Sequence, residues 1–313
     1  MIWIYLVAAS NFYSELVESY SEGVKLKYYQ DKGYGLECTK NIPKGTRVLK
    51  LPKELIITAE DFEFYNELST LDEVAVLAAR VAYERTNPSN SFTQKYLHSL
   101  PGSFLNYPFW EQSELEFYKA YNFENLDLYS FQDEYKQVKS LLNLTLEEWK
   151  WGLGVVVSRG FRYYFREENK VVLIPLLDLA NYDSQAFNYS SGYVIDSEGN
   201  PVLKAEKNFK SGEAFEWSYG YKDKNTELLE NYGFFVDNNP YDYLEVSFER
   251  HKVSTNLDKK GPFRTLKRNC YQPTTPVLKL MCQVLLQQRK LFFSQVKRLQ
   301  TAHLTHLYSA VTS

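Results

Sequence analysis

The spacing of hydrophobic side chains changes twice along the chain, and these changes predict strands, then helices, then strands again. Residues 24–58 hold short stretches in which apolar and polar residues alternate, as in Val24–Tyr28, and this alternation is typical of half-buried strands. Between residues 60 and 155 the apolar positions recur at helical spacing. One such stripe comprises Leu71, Val74, Leu77, Ala78 and Val81. Alternation returns over residues 171–246, so we expect one β unit interrupted by a helical insertion.

Residues typical of turns and of helix caps mark the ends of these predicted elements. Lys32–Gly35 predicts a turn because it contains two glycines. Thr70–Glu73 and Thr145–Glu148 each have the pattern of a capping box, in which threonine and glutamate satisfy free backbone donors at the start of a helix. Residues 192–205 predict a hairpin that turns at 196–200. Together with the hydrophobic spacing, these signals predict an α+β fold.

Both ends of the chain carry helical patterns. Residues 1–9 are apolar, and the amphipathic pattern continues through Leu16 and Val17. The apolar stretch is too short to span a bilayer, and no lysine precedes Lys25, so a helix is favoured over a signal peptide. A second amphipathic helix is predicted within residues 276–299.

Composition favours a folded, aromatic-rich protein. A hydrophobic fraction of 44% and a charged fraction of 24% over 313 residues suffice for a core. The 26 tyrosines and 20 phenylalanines favour β-rich structure and aromatic-lined pockets, although a coding bias of the source would give the same excess. Cys38, Cys270 and Cys282 form neither a disulfide framework nor a zinc pattern, so a cytoplasmic or nuclear location is expected.

Charge is unevenly distributed along the chain. The net charge is -3, yet residues 250–313 hold twelve lysines and arginines against one aspartate, and residues 1–249 hold 24 against 38 acids. A basic arm could contact nucleic acid, dock on the acidic body of the chain or form a solvated helix face. The solvated face is the commonest of these, so we expect neither a nucleic-acid partner nor a membrane partner.

The sequence contains no complete motif for several common kinds of binding site and catalytic site. Gly33 and Gly35 begin like a dinucleotide fingerprint, but Cys38 stands where a third small residue would fall and no helix is predicted to follow. His303 and His306 lie three residues apart with no further ligand nearby, so no metal is expected. Four histidines in all leave few places for a hydrolase triad.

Polar residues interrupt apolar ones between residues 171 and 246 in a way that packing alone does not require. Asn181, for example, follows an apolar run and needs hydrogen-bond partners if it is buried, so it often holds a ligand or a loop. The segments concerned are Leu173–Asp183, Phe209–Ala214, Trp217–Gly220 and Asn231–Phe234.

In their order and spacing these segments resemble the C-terminal half of a SET domain, of the subgroup typified by the Rubisco large-subunit methyltransferase. The rest of such a domain is matched by Gly33–Leu36, Ile42–Gly45, Leu51–Pro52, Tyr96–Leu97, Leu100–Pro101, Trp110 and Val157–Phe161. The resemblance implies a β-rich SET domain over residues 1–245, with a helical insertion at about 60–155. It also implies a short or partial α-helical substrate-binding domain over 246–313.

The resemblance implies methyl transfer from S-adenosylmethionine to a lysine side chain of a protein such as a ribosomal protein or a histone, catalysed by a monomer. Tyr219 matches the catalytic tyrosine of the family. The implied cofactor-binding positions are Tyr34, Leu36, Ser158, Asp178, Asn181, Tyr182, Tyr219 and Phe234. The implied substrate-binding positions are Arg159, Phe161, Trp217 and Tyr232.

The sequence departs from the family pattern in three places. Tyr182 stands where the family usually has histidine, and tyrosine is compatible with a contact made through the backbone. Trp217 projects to the same strand face as Tyr219 and narrows the predicted acceptor channel. The segment after Val246 is short for the substrate-binding domain. Methylation of histidine and a non-catalytic binding module on the same scaffold are the alternatives.

Overall fold

The computed structural model describes residues 2–256 except for 31, 88, 90, 111–127, 184–192, 220–224, 235, 237–238, 240–242 and 249–250. The chain divides into two compact units. The first comprises Met1–Asp223 and Glu227–Phe234, and the second comprises Lys224–Thr226 and Phe235–Ser313. The helix predicted within 276–299 lies outside the described residues.

The described elements follow the predicted order of strands, helices and strands. The helices are α1 (Ile2–Tyr20), α2 (Glu73–Thr86), α3 (Phe92–Ser99), α4 (Leu128–Leu142), α5 (Leu146–Arg159) and α6 (Asn225–Tyr232). The strands are β1 (Val24–Tyr29), β2 (Gly33–Cys38), β3 (Arg47–Lys50), β4 (Gly160–Phe165), β5 (Glu168–Leu173), β6 (Asn181–Tyr182), β7 (Tyr193–Ile195), β8 (Pro201–Lys204), β9 (Ala214–Trp217), β10 (Tyr243–Phe248) and β11 (His251–Asn256). This order confirms the α+β class.

Helix α1 confirms the helix predicted at the N-terminus. Its side chains Tyr13, Leu16 and Val17 are buried and belong to the main hydrophobic core. Their spacing of three and four residues places them on one face, which is why this helix packs on the core. Within the described part of the chain, the helices include none that is both long enough and apolar enough to cross a bilayer.

Strand β9 joins segments that lie on both sides of the helical block. It belongs to a four-stranded sheet of order β1-β2-β9-β6. β9 is antiparallel to β2, where Phe215 lies opposite Leu36, and parallel to β6, where Trp217 lies opposite Tyr182. Phe215 and Trp217 are buried while Glu216 between them is less so, which is the alternation expected of a half-buried strand.

Two smaller sheets accompany this one. β7 and β8 form the predicted hairpin, and β3 pairs with β8 on its other side. Asp196 fixes the hairpin turn, because its carboxylate accepts hydrogen bonds from the backbone N–H groups of Glu198 and Asn200, each at 2.9 Å. β4 and β5 form a separate antiparallel hairpin directly after α5.

Helices α2 and α5 pack at close range within the insertion. Gly152 of α5 faces the carbonyl of Ala78, so a side chain at position 152 would overlap that backbone oxygen and reach Ala82 at 3.1 Å. The predicted capping box starts α5, since Thr145 accepts from the N–H of Glu148 at 3.3 Å and Glu148 accepts from the N–H of Thr145 at 2.7 Å.

Two predicted boundaries were wrong. Gly33 and Gly35 belong to β2, and the turn lies before them, because the β1–β2 pairing begins at Tyr29 opposite Gly33. Helix α2 is capped by Asp72, whose carboxylate accepts from the N–H of Ala75 at 2.8 Å. The hydroxyl of Thr70 instead bonds to Gln137. Aspartate is as good an N-cap as threonine, so the pattern had two competing solutions.

The second unit contains the strands β10 and β11, and most of the helical segment predicted over 246–313 lies outside the described residues. β10 and β11 pair as an antiparallel hairpin, with Val246 opposite Val253. Within the same unit, the amide of Asn225 binds both backbone groups of Val236, at 2.7 and 2.8 Å.

Replacing Gly152 with alanine should destabilise the protein by about 1–3 kcal/mol, as overpacking of a close helix contact typically does. The clash with Ala78 should outweigh the helix propensity that alanine gains over glycine, about 1 kcal/mol. Urea unfolding followed by circular dichroism measures the difference. Gly102→Ala is the matched control, because a side chain there would meet nothing within 4 Å. Equal stability of the two variants would contradict the tight α2–α5 packing.

Candidate active site

A cavity of about 670 Å³ lies where α5 ends and β4 begins. It is lined by Ser158, Arg159, Gly160, Phe161, Arg162, Tyr164, Leu177, Asp178, Tyr193, Val194, Ile195, Trp217, Tyr219 and Tyr232. Seven of the predicted site residues therefore share one cavity: Ser158, Arg159, Phe161, Asp178, Trp217, Tyr219 and Tyr232. The lining combines an aromatic wall with one charged pair.

The charged pair is Arg159 with Asp178. The guanidinium donates to the Asp178 carboxylate at 2.8 Å, and the Asp178 side chain is only 1% exposed. The hydroxyl of Tyr96, fully buried on α3, donates to the same carboxylate oxygen at 2.9 Å. Burial, the largest single effect, lowers the pKa of the Arg159 guanidinium, but Asp178, Tyr13 and Tyr96 together outweigh it and raise that pKa. The second carboxylate oxygen of Asp178 and the Nε of Arg159 are buried without a partner among the described residues.

The backbone before Asp178 is in an unusual conformation. Leu176 has φ +78° and ψ -40°, a region that costs residues with a side chain of order 1–3 kcal/mol. Leu176 is itself fully buried, so the surrounding core holds it there. The short 3-10 helix Leu177–Leu179 follows at once and carries Asp178. Backbone strain thus accompanies the placement of the cavity carboxylate.

Aromatic rings form one wall of the cavity. Phe161 and Trp217 are stacked, with ring centroids 6.0 Å apart and planes at 25°. Tyr193 meets both rings edge-on, at 5.6 and 5.9 Å. The indole N–H of Trp217 donates to the carbonyl of Ala180 at 2.9 Å, which fixes the ring. Stacking and the indole hydrogen bond thus give this wall a fixed geometry and an apolar face.

Tyr219 lies between this cavity and a second aromatic group. Its ring centroid is 4.9 Å from that of Tyr232 and 5.3 Å from that of Tyr182. Phe234 completes the group, 5.4 Å from Tyr182. Burial raises the pKa of Tyr219 to about 12, with smaller opposing effects of Arg159 and Asp178. The Tyr219 hydroxyl is therefore neutral at physiological pH.

Asn181 contacts the glycine strand directly. A side chain at Gly35 would overlap the Asn181 amide and approach the Tyr29 ring at 3.0 Å, so only glycine allows this contact. Asn181 is next to Tyr182 on β6, and Tyr182 packs on Tyr219. The contact therefore links β2 to the surroundings of Tyr219.

The other predicted cofactor positions lie outside the cavity lining. Leu36 is buried in the sheet opposite Phe215, and its carbonyl accepts from the Tyr29 hydroxyl at 3.2 Å. The Tyr34 ring meets that of Tyr28 edge-on at 5.4 Å. Asn181, Tyr182 and Phe234 form the Gly35 contact and the second aromatic group described above. The predicted residues thus lie in two neighbouring regions that meet at Tyr219, and the predicted cofactor positions Ser158 and Asp178 line the cavity together with the predicted substrate positions.

Several residues of this site had no predicted role, and three of them shape its geometry. Tyr96 was recognised only as part of the insertion, Tyr193 only as the start of a hairpin strand, and Leu176 only as part of an apolar run. A tyrosine inside an apolar helix face is a usable signal for Tyr96, because a buried hydroxyl needs a polar partner. The conformation of Leu176 has no such signal, since glycine and asparagine are the residues that normally mark a positive φ.

A second buried carboxylate supports the backbone next to Tyr219. Glu206 accepts from the N–H of Ser218 at 3.1 Å, and its other oxygen is buried without a partner among the described residues. Asp183 nearby is paired with Lys207 at 2.5 Å. Burial raises the pKa of Glu206, the Ser218 N–H opposes this, and Asp183 adds to it, while Lys207 and Lys44 lower it.

Glu206→Gln should make the protein more stable at pH 7 and leave its stability unchanged near pH 4. The raised pKa means that folding favours the protonated carboxyl, so its contribution is present below the ordinary pKa of 4.5 and is lost as pH rises through the folded value. Glutamine keeps the acceptor for Ser218 and stays neutral at every pH. Thermal unfolding from pH 4 to 7 measures the effect, with the exposed Glu167→Gln as control. A variant less stable at pH 7 would show that the charged carboxylate is the favoured form.

Known proteins resemble the chain in sequence. It is 26% identical over 251 residues to an actin-histidine N-methyltransferase of Dasypus novemcinctus, and the match covers 72% of this chain and 42% of that protein. The corresponding protein of Homo sapiens is 25% identical over 252 residues, with 72% and 41% covered. The chain therefore spans about two-fifths of the length of these relatives. No protein-family profile matches it.

Solved structures resemble the chain in fold. The SET domain of LSMT bound to lysine and AdoHcy superposes with a TM-score of 0.63 at 20% identity, covering 84% of this chain and 64% of that one. The SET domain of LSMT bound to methyllysine and AdoHcy gives 0.64 at 20% identity, covering 87% and 72%. Rubisco LSMT bound to AdoMet gives 0.61, also at 20% identity, covering 80% and 66%. The predicted SET fold is confirmed.

Proposed function

We propose that this chain transfers a methyl group from S-adenosylmethionine to a ring nitrogen of a histidine side chain in another protein. The observation that carries the proposal is the position of Tyr219, a neutral hydroxyl at the junction of the aromatic cavity and the Gly35–Asn181 contact. The sequence relatives named actin-histidine N-methyltransferase support histidine as the acceptor, and actin is the first substrate to test.

The residues next to Tyr219 fit the cofactor. The Asn181 amide lies against Gly35, where any side chain would overlap it, so this amide is held next to strand β2. The rings of Tyr182 and Phe234 offer apolar faces for an adenine, and the backbone of Tyr34 and Leu36 flanks Gly35 on β2. When bound, S-adenosylmethionine supplies the sulfonium methyl group. The three solved neighbours, which hold AdoMet or AdoHcy, support this assignment.

The cavity residues prepare the acceptor nitrogen. Methyl transfer is an in-line displacement, so the nitrogen must present an uncharged lone pair along a fixed direction. The stacked Phe161 and Trp217 rings hold the acceptor side chain and exclude water. The Tyr219 hydroxyl, neutral because burial raises its pKa to about 12, orients the acceptor side chain and does not act as a base. The Arg159–Asp178 ion pair forms a polar part of the cavity lining and adds no net charge to it.

Histidine suits this site because its acceptor nitrogen needs no base to become neutral at physiological pH. An imidazole has an ordinary pKa of about 6.5 and is largely neutral at physiological pH, whereas a lysine amine at about 10.4 must first lose a proton. The acceptor cavity of about 670 Å³ accommodates a planar imidazole against the Phe161 and Trp217 rings. The unpartnered oxygen of Asp178 offers an acceptor for the second ring N–H.

Lysine is the second candidate acceptor. Aromatic walls such as Phe161, Trp217 and Tyr193 desolvate an ammonium group and lower its pKa, which helps a lysine amine to become neutral. The solved neighbours that hold lysine or methyllysine in a SET domain support this reading.

Amino-acid analysis of the product decides between the two acceptors. The protein is incubated with radiolabelled S-adenosylmethionine and either purified actin or a cell lysate, and the labelled protein is hydrolysed. Label that co-migrates with methylhistidine is expected, and label in methyllysine would assign the reaction to the second candidate. A chain that shows no cofactor binding by calorimetry would instead be a binding module on a SET scaffold.

Tyr219→Phe should reduce kcat by 100-fold or more while leaving the affinity for S-adenosylmethionine within about threefold. Losing a positioned hydroxyl removes an interaction worth about 2.7–4 kcal/mol when it acts on the reacting groups. Single-turnover methyl transfer and calorimetry measure the two quantities. Tyr83→Phe is the matched control, because Tyr83 packs on Phe62 and Phe64 away from the cavity. Unchanged turnover in Tyr219→Phe would remove this residue from the mechanism.

A further inference from the structure

We propose that three exposed side chains at the mouth of the cavity, Arg162 and Tyr164 of β4 and Val194 of β7, form a docking rim for the substrate segment next to the acceptor. The rim selects a segment with an apolar side chain and an acidic side chain close to the acceptor residue. This inference rests on the proposed function, since it names the class of protein segment that delivers the acceptor.

The first observation is where large apolar side chains are exposed. Among the described residues these are Tyr28, Leu141, Leu146, Tyr164 and Val194. Tyr164 is 62% exposed, Val194 is 44% exposed, and both line the cavity. Tyr164 is the most exposed of the group, although it lies in a strand whose other aromatic residues are at least partly buried. Apolar surface at the mouth of a pocket is a feature of interaction sites.

The second observation is a free positive charge on the same strand. Arg162 is exposed, lines the cavity and lies two residues before Tyr164, so both side chains project to the same side of β4. In the described ranges of the chain, Arg162 forms no ion pair. Residues 1–249 carry an excess of acids, so the charge of Arg162 is opposite in sign to the net charge of this part of the chain. An acidic side chain is the complementary partner.

The third observation is that the rim is already assembled. The Tyr193 hydroxyl donates to the carbonyl of Arg162, which ties β7 to β4. The rings of Phe161 and Tyr193 meet edge-on at 5.6 Å beneath this link. The three rim side chains therefore project from two strands that are fixed relative to each other. A fixed surface loses little entropy on binding, so its contacts add to affinity.

The substrate segment must cross this rim when its acceptor residue enters the cavity. An extended chain advances about 3.3–3.6 Å per residue, so the neighbours of an acceptor inserted into the cavity lie within a few residues' reach of its mouth. Arg162, Tyr164 and Val194 belong to the lining of that same cavity. The segment that flanks the acceptor is consequently the occupant that the rim meets first.

The test uses synthetic nine-residue peptides with a central histidine, and a parallel set with a central lysine. Each flanking position carries alanine, leucine, glutamate or lysine, and kcat/KM for methyl transfer is measured with the full chain. Leucine at one flanking position and glutamate at another should each raise kcat/KM about tenfold over alanine, the effect of one contact worth about 1.4 kcal/mol. Tyr164→Ser and Val194→Ser should lose the leucine preference through a higher KM at unchanged kcat.

Reversing the charge of Arg162 is the most discriminating part of this experiment. Arg162→Glu should invert the preference from glutamate to lysine, which a merely structural role would not do. Leu141→Ser, an exposed residue of α4, is the control and should keep both preferences. A wild-type chain that methylates the peptides without regard to their flanks, or an Arg162→Glu variant that still prefers glutamate, overturns the docking rim.

Failure of the proposed function is distinguishable from failure of the rim. A chain that binds no S-adenosylmethionine by calorimetry and labels no lysate protein refutes the methyltransferase itself. If the wild-type chain binds the cofactor and labels lysate proteins but none of the peptides, the three rim variants are compared on the lysate. Reduced labelling with unchanged cofactor affinity supports the rim, and labelling equal to that of the wild type overturns it.

Discussion

The ion pair between the partly buried Arg159 and the buried Asp178 determines the charge and hydrogen bonding of the cavity. Removing two charges from water costs several kcal/mol per ion unless close geometry and further hydrogen bonds compensate. Here the compensation comes from a 2.8 Å ion pair and from the Tyr96 hydroxyl, which donates to the same carboxylate. Leu176 holds a strained backbone conformation immediately before this carboxylate. The result is a polar floor without net charge, on which an aromatic wall can hold an uncharged nitrogen.

Strand β9 provides the second constraint, since it aligns segments that are far apart in the chain. It pairs with β2 on one side and β6 on the other, and Tyr219 follows two residues after its end. The glycine at position 35 lets the Asn181 amide approach β2 closely. The ring of Tyr219 therefore lies between the cavity and the aromatic group of Tyr182 and Phe234, the regions proposed to bind the acceptor and the cofactor. One short strand thus determines the relative position of two binding regions.

Features set by neighbouring residues could be predicted from the sequence, and features set by distant contacts could not. The alternation in β9 and the Thr145 capping box depend on a few adjacent residues, and both were predicted. The cap of α2 was misplaced because Thr70 and Asp72 are both good caps and tertiary contacts chose between them. The bond from Tyr96 to Asp178 joins residues 82 positions apart, and only the folded core brings them together. Family resemblance, rather than periodicity, supplied Tyr219 and Asn181.

The hydrogen bond from Tyr96 to Asp178 also limits how far the helical insertion can be changed. An insertion that only covered the β unit could be shortened or exchanged between homologues as a separate module. Here α3 supplies a donor to a carboxylate that is 99% hidden from solvent, so deletion of the insertion would leave that charge short of a hydrogen bond in a dry setting. Chimeric proteins built on this fold must therefore take the insertion and the Arg159–Asp178 pair from the same parent protein.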